Sequence, residues 1–250
     1  MDNYEYCVHT VGELFPEKNI HVLDFGCGRG EVIRLLRRAG YAAFGCDVFY
    51  EGGSAKEDVS DLITRGIVCN MPDGLTPYGS DRFDMVIANQ VFEHVPHLEK
   101  SLSEIHRILK PGGVLLSLFP DRGVWREGHC GIPFLHRFPK GSPIRLWYAV
   151  GLRSLGMGTF KGEKGIVEWS KNFCNWLDKW TYYRDRKEIR ETFHRYFVDL
   201  ASREPHWLDT RFGAAMPFVQ AIPQPMKRFI VAKWGGMIFT ARKATSPSGQ

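Results

Sequence analysis

The sequence lacks the features of a membrane-spanning protein, a disulfide scaffold or a zinc domain. Its 250 residues contain no run approaching the roughly 18 uncharged apolar residues that a membrane-crossing helix needs. The amino terminus has no basic stretch followed by an apolar one, so no signal peptide is expected. The six cysteines are scattered and form no C-x-x-C pair, which indicates free thiols in a reducing compartment and no metal finger. We therefore expect a soluble, cytoplasmic protein.

The composition is that of an ordinary globular domain, but its charge is unevenly placed. Hydrophobic residues make up 44% and charged residues 24%, and the length fits one α/β domain with an insertion. The net charge is +5. Residues 136–200 hold 13 Lys+Arg and 7 Asp+Glu, so this segment carries +6 and the remainder of the chain −1. The positive charge thus lies outside the region that the next motifs occupy.

A glycine-rich turn near the amino terminus organises the chain. Apolar residues 22–25 run into Gly26, Gly28 and Gly30, and apolar residues then recur at helical spacing from Val32. The pattern predicts a strand, a tight turn and a helix. Glycine permits positive φ and close approach of a ligand, and the free N–H groups of a helix N-terminus favour negative charge. The turn predicts a nucleotide-like ligand, although the same glycines could serve only as a tight connection.

The residues Asp24-Phe25-Gly26-Cys27-Gly28-Arg29-Gly30 resemble motif I, D-x-G-x-G-x-G, of the class I S-adenosylmethionine-dependent methyltransferases. The third glycine follows the second by two residues rather than three, unlike the dinucleotide fingerprint G-x-G-x-x-G. The resemblance implies S-adenosyl-L-methionine as cofactor and S-adenosyl-L-homocysteine as product.

Asp47 follows the next predicted strand, residues 42–46, seventeen positions after Gly30. An acidic residue at this place can accept hydrogen bonds from both ribose hydroxyls, or it can simply begin a loop. After a short third strand, the resemblance assigns Asn70-Met71-Pro72 to the adenine edge. Asn70 departs from the acidic residue usual in the family, but its amide can donate and accept.

Residues 83–89 have the continuous apolar run of a central parallel strand. The following Gln90-Val91-Phe92 resembles the small-molecule branch of the family and differs from the [DNS]-P-P-[YF] motif of nucleic-acid amino methyltransferases. The resemblance gives Glu93-His94 mainly a supporting role at a helix start. Residues 109–115, Leu-Lys-Pro-Gly-Gly-Val-Leu, resemble the family's helix stop and buried strand. The cofactor-binding residues implied are Asp24, Phe25, Gly26, Cys27, Gly28, Gly30, Asp47, Val48, Asn70, Met71, Asn89 and Gln90.

The predicted fold is a Rossmann-like, seven-stranded methyltransferase sheet with helices on both faces. A single domain, residues 1–250, has its core at 20–135 and 201–243, with a helical substrate cap at about 136–200 inserted between strands five and six. Helices are predicted at 143–155 and at 168–196, the second broken near 182, and at 225–233. Strands are predicted near 206–210 and at 237–241. Residues 244–250 are expected to be disordered.

The loop after the fifth strand offers the candidate catalytic groups, because loops at the carboxyl ends of strands bind substrate in α/β folds. We expect His129 to act as general base, oriented by Glu127 or Asp121. The alternative is a structural loop whose histidines bond to backbone carbonyls. A metal site of Glu127, His129 and His136 fits no recognised ligand spacing, and no metal is predicted.

The predicted activity is methyl transfer, most simply to an oxygen of a small-molecule or glycan-type acceptor. Three alternatives stay open: an N-methyltransferase of a small molecule or lipid, a nicotinamide-dependent oxidoreductase, and a non-catalytic lipid- or nucleic-acid-binding protein. No nucleic-acid partner is expected. The cap has an apolar stripe at Trp169, Phe173, Trp176, Leu177 and Trp180, which can pack over the sheet. The alternative is that this basic amphipathic surface faces a membrane or an anionic substrate.

Overall fold

The computed structural model describes residues 1–53 and 56–245, and the predicted disorder of the last five residues, 246–250, lies outside them. A seven-stranded sheet has the order β3-β2-β1-β4-β5-β7-β6. Strands β1 to β5 are parallel, and β7 runs antiparallel to both β5 and β6. The strands are β1 His21–Phe25, β2 Ala42–Asp47, β3 Val68–Asn70, β4 Phe83–Asn89, β5 Leu109–Phe119, β6 Val198–Ser202 and β7 Met237–Arg242.

Nine α-helices lie within the described residues, and none of them is long and apolar enough to cross a membrane. The first begins at Asp2, whose carboxylate accepts from the amide of Glu5 in a capping box. The helices are α1 Asn3–Leu14, α2 Glu31–Arg38, α3 Ser60–Thr64, α4 Leu98–Ile108, α5 Pro143–Ser154, α6 Ile166–Trp180, α7 Arg186–His194, α8 Glu204–Phe212 and α9 Gln224–Trp234.

The sheet is covered on both faces, as its apolar strands predict. In β4, Met85 and Ile87 belong to the core cluster that includes α1 and α2, whereas Val86 and Ala88 belong to the cluster that includes α4 and α7. Successive side chains of a strand point to opposite faces, so an uninterrupted apolar run is buried on both. The predicted Rossmann-like methyltransferase sheet is therefore present.

The strand predicted near residues 206–210 is wrong, because this segment forms helix α8 and strand β6 precedes it. Pro205 stands in the first helical turn, where proline favours a helix start. Trp207 and Leu208 are buried in the core cluster that includes α1 and α2. Strand β6 is a largely exposed edge strand, so it lacks the apolar alternation that would identify it in the sequence.

The cap, defined here as residues 121–185, has a small core of its own. Buried residues of the loop after β5 pack there with α5 and α6 (Cys130, Ile132, Leu135, Ala149, Trp169, Cys174 and Leu177). The break predicted near 182 separates α6 from α7. Helix α7 packs on the sheet, where Phe193 contacts Phe92 and Phe239 edge-on. The predicted cap boundary at residue 200 is thus too late, since residues 186–200 belong to the sheet domain.

Candidate functional site

A cavity of about 960 Å³ opens where β1, β2 and β4 end, next to the crossover in strand order. Clefts at this position of a parallel sheet are the usual binding sites of α/β folds. Its floor is the turn after β1 and the ends of β2 and β4. Tyr4 of α1 lines one side, and Phe160 and Trp176 of the cap line another. The cavity therefore lies between the sheet domain and the cap.

The glycine turn of residues 24–30 needs glycine for two different reasons. At Gly26, φ is +76°, and a Cβ would lie 2.6 Å from Cγ2 of Val91 in the loop after β4. At Gly30, the residue before α2, φ is +74° and a Cβ would lie 2.8 Å from Cδ1 of Leu62. Gly26 lines the cavity and Gly30 does not. Gly26 therefore shapes the cavity, whereas Gly30 allows α2 to pack against α3.

The carboxylate of Asp47 is fixed at the edge of this turn. One oxygen accepts a hydrogen bond from the amide of Gly28 at 2.8 Å, and the other accepts from the amide of Phe49 at 2.8 Å. Each carboxylate oxygen can accept more than one hydrogen bond. Asp47 thus ties the glycine turn to the loop after β2 and keeps capacity to accept from a ligand.

Asp24 is a second carboxyl group in the cavity wall. It is buried, and burial together with the negative charge of Asp47 raises its pKa to about 8. At neutral pH it therefore carries a proton that it can donate to a ligand.

Ten of the twelve residues predicted to bind cofactor line the cavity, and Gly30 and Asn70 do not. Asn70 is exposed, and in the ladder between β2 and β3 it is the partner of Asp47. The cavity wall at this point is residues 71–74, which include Asp73. The structure thus favours Asp73 over Asn70 as the polar side chain nearest the predicted adenine position.

Gln90 has a φ of +58° and lines the cavity after β4. A non-glycine residue in the left-handed region is uncommon and often marks a functional loop. The backbone amide of Gln90 donates a hydrogen bond to the carbonyl of Leu118 at 2.7 Å. This bond holds the loop against β5.

The loop after β5 brings His129, Glu127 and Tyr183 together. Nδ1 of His129 lies 2.7 Å from Oε1 of Glu127, and the hydroxyl of Tyr183 donates to the same oxygen at 2.7 Å. The amide of Cys130 donates to Oε2 at 2.7 Å. Glu127 is fully buried, and His129 lines the cavity. The hydrogen bond of the imidazole is made by Nδ1, and within the described part of the chain Nε2 has no hydrogen-bond partner. We call this arrangement the histidine–glutamate pair.

The charges of the pair support each other. Burial disfavours the Glu127 carboxylate, but His129, the Cys130 amide and Tyr183 outweigh it and hold the pKa of Glu127 at about 2. Burial also disfavours protonated His129, yet the hydrogen bond and negative charge of Glu127 raise the pKa of His129 above its ordinary value. Glu127 is therefore ionised and accepts from Nδ1, so Nε2 is the nitrogen that exchanges a proton with a ligand.

Asp121 does not contact His129. Its carboxylate accepts from both Nε and an Nη of Arg186, at 2.9 and 2.7 Å, and from the amide of Gly123. The structure thus corrects the prediction that Asp121 could orient His129. His136 is also separate from the pair, since its Nε2 lies 3.2 Å from the carbonyl oxygen of Arg122.

The alternative metal site would consist of Glu127, His129 and His136. The ligand atoms of these three residues do not lie close enough together to share an ion. Within the described residues, the only three ligand-type side chains close enough to share an ion are His9, Glu13 and His206, outside the cavity. Arg203 forms an ion pair with Glu13 there.

His94 lies against the pair, with ring centroids 5.0 Å from His129. Its Nδ1 is 2.8 Å from the carbonyl oxygen of Trp180 and therefore carries a hydrogen. Burial lowers the pKa of His94 to about 4, opposed by that hydrogen bond and reinforced by His129. His94 is thus a neutral imidazole in the cavity wall, held by the end of α6.

Sequence reasoning missed several cavity residues that come from distant parts of the chain. Trp176 was predicted only as part of a packing stripe, but its ring lies 4.8 Å from that of His129. Tyr50 packs on Trp180 at 4.7 Å. Helical spacing identifies an apolar face, but not which of its members turns toward a site. Tyr4 and Phe160 carry no motif at all.

Comparisons with known proteins agree with this geometry. Residues 2–197 match a family model described as a methyltransferase domain. A mitochondrial ubiquinone biosynthesis O-methyltransferase of Mus musculus is 32% identical over 106 residues, covering 40% of this chain and 28% of the relative. A sterol 4-C-methyltransferase of Caenorhabditis elegans is 30% identical over 145 residues, covering 51% and 43%. The chain thus spans less than half the length of these curated relatives.

Among solved structures, an S-adenosylmethionine-dependent methyltransferase from Mesorhizobium loti superimposes with a TM-score of 0.54 at 14% identity, covering 94% of this chain and 96% of the other. At this identity the likeness shows the fold alone. The family match, however, covers well over half of the chain. The protein belongs to the class I S-adenosylmethionine-dependent methyltransferases.

Proposed function

We propose that the protein transfers a methyl group to a hydroxyl oxygen of a small-molecule or glycan-type acceptor, with His129 as general base. The observation that carries this proposal is the position of the histidine–glutamate pair, which lies in the same cavity as the glycine turn and Asp47. The proposed cofactor-binding groups and the proposed proton acceptor thus line one cavity between sheet and cap.

The cavity residues fit S-adenosylmethionine. Gly26, with positive φ and Val91 packed against it, shapes the turn that lines the cavity, and Asp47 supplies a fixed carboxylate suited to ribose hydroxyls. Protonated Asp24 and the side chain of Asp73 add a donor and an acceptor along the wall. When bound, the cofactor supplies an electrophilic methyl group on a sulfonium, which is already a good leaving group.

The remaining task of the chain is to orient the acceptor, exclude water and remove the hydroxyl proton. Glu127 holds the imidazole through Nδ1, so Nε2 of neutral His129 can accept that proton. The raised pKa of His129 makes it a stronger base than a free imidazole, and the ionised Glu127 stabilises the imidazolium that forms. Trp176 and His94 flank the ring and restrict access of water to it.

The names of the relatives are compatible with this proposal. The ubiquinone biosynthesis relatives are O-methyltransferases, and the sterol relative is a C-methyltransferase. Family membership counts against the nicotinamide-dependent oxidoreductase considered from the sequence.

The test is methyl transfer from S-adenosylmethionine carrying a tritiated methyl group to a panel of phenols, catechols and sugars, with matched amines. We expect hydroxyl acceptors to be used. With the best acceptor, His129→Ala should lower kcat by about 100-fold or more. Its dissociation constant for S-adenosylhomocysteine should stay near that of the wild type. His136→Gln is the matched control, because His136 contacts a backbone carbonyl outside the cavity.

Two results would contradict the proposal. Near wild-type turnover by His129→Ala would show that another group, or none, removes the proton. Labelling of amines alone would assign nitrogen as the acceptor atom.

A further inference from the structure

The cap carries an exposed apolar face, made of Ile144, Trp147 and Leu155 on and just after α5, and Phe160 in the connection to α6. We call it the docking face. These side chains are 70%, 67%, 78% and 82% exposed, respectively. The first three recur at helical spacing, on the side of α5 opposite to the buried Arg145 and Ala149. Large apolar side chains exposed together on one side of a helix are typical of an interaction site.

One residue of the docking face also belongs to the cavity: Phe160 lines it, although most of its side chain is exposed. The preceding residue, Thr159, is anchored on the loop after β5. Its amide donates to the carbonyl of Cys130 at 2.8 Å, and its hydroxyl donates to the carbonyl of His129 at 2.9 Å. The indole of Trp169 donates to the carbonyl of Thr159 at 3.0 Å. The backbone thus holds Phe160 outward beside the cavity.

The conformation of Phe160 is itself unfavourable. Its φ is +48°, in the left-handed region that an aromatic residue rarely adopts. Such strain is retained where the surrounding structure imposes it, commonly at functional sites. Here the bonds of Thr159 impose it, and the result is an exposed ring at the cavity mouth.

The segment that contains the docking face is rich in positive charge. Residues 140–171 contain six Lys+Arg and two Asp+Glu. Arg145 is neutralised by an ion pair with Asp178, and the other five basic residues include the exposed Lys140, Lys164 and Lys171. Surfaces that bind the headgroup region of an anionic membrane combine exposed aromatic and aliphatic side chains with lysines.

We propose that the docking face binds an anionic lipid bilayer. The apolar side chains enter the interface and the lysines contact the lipid phosphates. Because Phe160 belongs to both the face and the cavity mouth, the cavity opens at the bilayer surface. If the proposed methyl transfer is correct, its acceptors enter from that surface. The binding itself does not depend on the proposed chemistry.

The test is co-sedimentation of the full chain with vesicles of phosphatidylcholine alone and of phosphatidylcholine with phosphatidylglycerol in a roughly 7:3 ratio. We expect binding to the anionic vesicles that weakens as salt is added. The variant Trp147→Ser/Leu155→Ser/Phe160→Ser should bind at least about tenfold more weakly. Phe229→Ser on α9 is the matched control, since Phe229 is 59% exposed on another element, and it should bind like the wild type.

Absence of wild-type binding to anionic vesicles would overturn the proposal, and so would unchanged binding of the triple variant. If only Phe229→Ser lost vesicle binding, the membrane-binding surface would lie at α9 and not at the docking face. Wild-type dimers that the triple variant dissociates, without any vesicle binding, would assign the face to a second copy of the chain. If the triple variant fails to fold, Trp147→Ser and Lys164→Glu should each weaken binding, and their unchanged binding would equally overturn it. Because vesicle binding is measured without methyl transfer, these outcomes leave the proposed function untouched.

Discussion

The negative charge of Glu127 sets the protonation of His129 in this account. The carboxylate raises the pKa of the imidazole and must itself stay ionised, which its own pKa of about 2 ensures. A general base works only in its neutral form, so activity should rise with pH through the raised pKa of His129. The sequence placed these two residues in one loop, and the structure shows that their side chains meet.

Glu127→Gln should therefore shift the acid limb of the pH profile of kcat/KM to lower pH, because the amide carries no charge to stabilise the imidazolium. It should also lower kcat by about 10-fold or more. Tyr183→Phe is the control, since it removes a donor to Glu127 and leaves the charge in place. An acid limb that does not move in Glu127→Gln would show that Glu127 does not tune the base.

Glu93 makes the free energy of unfolding depend on pH. Among the described residues, neither carboxylate oxygen of Glu93 has a hydrogen-bond partner. Burial raises the pKa of Glu93 to about 8, with His129 opposing and Glu127 reinforcing the shift. Between pH 4.5 and pH 8 the folded state holds a proton that the unfolded state has lost. Stability due to Glu93 is thus present below pH 4.5 and is lost as pH rises to 8.

Glu93→Gln replaces the protonated acid by a neutral amide of similar shape. Urea unfolding should show the variant stabilised relative to wild type above pH 8, by on the order of a few kcal/mol, and little changed near pH 4.5. The buried Asp24 is common to both proteins and cancels in the comparison. An equal stability difference at both pH values would mean that Glu93 is ionised in the folded protein.

The segment between α6 and α7 joins the cap to the sheet domain through one arginine. The guanidinium of Arg184 donates to the carbonyls of Phe92, Val95 and Pro96 at 3.1, 2.7 and 2.9 Å. The amide of Tyr182 donates to the carbonyl of Glu93 at 2.6 Å. Together these bonds fix the loop after β4, which forms one wall of the cavity.

Arg184→Lys should lower the free energy of unfolding by about 3 kcal/mol, because the ammonium cannot reach three carbonyls and leaves polar groups unpaired. It should also weaken binding of S-adenosylhomocysteine through the displaced loop. Urea unfolding and calorimetry measure the two effects. Arg190→Lys is the control, because Arg190 lies on the exposed surface of α7. If the two variants had the same free energy of unfolding and the same affinity for S-adenosylhomocysteine, Arg184 would not hold the loop after β4.

The elements that could be predicted from the sequence are those with a local signal. The run at β4 is apolar on both faces, and the glycines after β1 permit the positive φ that the tight turn requires. Strand β6 could not be recognised, because an edge strand with exposed side chains has no apolar alternation. The cap boundary was misplaced because Ile189 and Phe193 continue a helical pattern in the sequence. That spacing does not show whether a helix packs in the core of the cap or on the sheet, where these two side chains lie.

The site divides in the same way. The position of Asp47 and the glycine turn at the cavity could be predicted, because both belong to a motif that is local in the chain. Trp176 and Phe160 could not, since their place in the cavity depends on how the cap folds over the sheet. Asn70 lies outside the cavity lining for a geometric reason: it ends β3 inside the ladder, and the cavity wall begins one residue later.

Across the whole molecule, two parts of the chain line the cavity: the sheet domain contributes the glycine turn and Asp47, and the cap contributes His129, Phe160 and Trp176. The positive charge is concentrated on the cap side, since the segment with net charge +6 lies largely within the cap. In the proposed function the first part holds the cofactor and the second faces the acceptor, with His129 as base. On that proposal the motifs identify the cofactor, whereas the acceptor depends on the cap.

A crystal structure of the protein with S-adenosylhomocysteine tests this account most directly. It predicts that the ribose hydroxyls bond to the carboxylate of Asp47, and that Nε2 of His129 faces the open cavity beside the sulfur. A nucleoside bound away from Asp47, or a sulfur separated from His129 by protein, would contradict it.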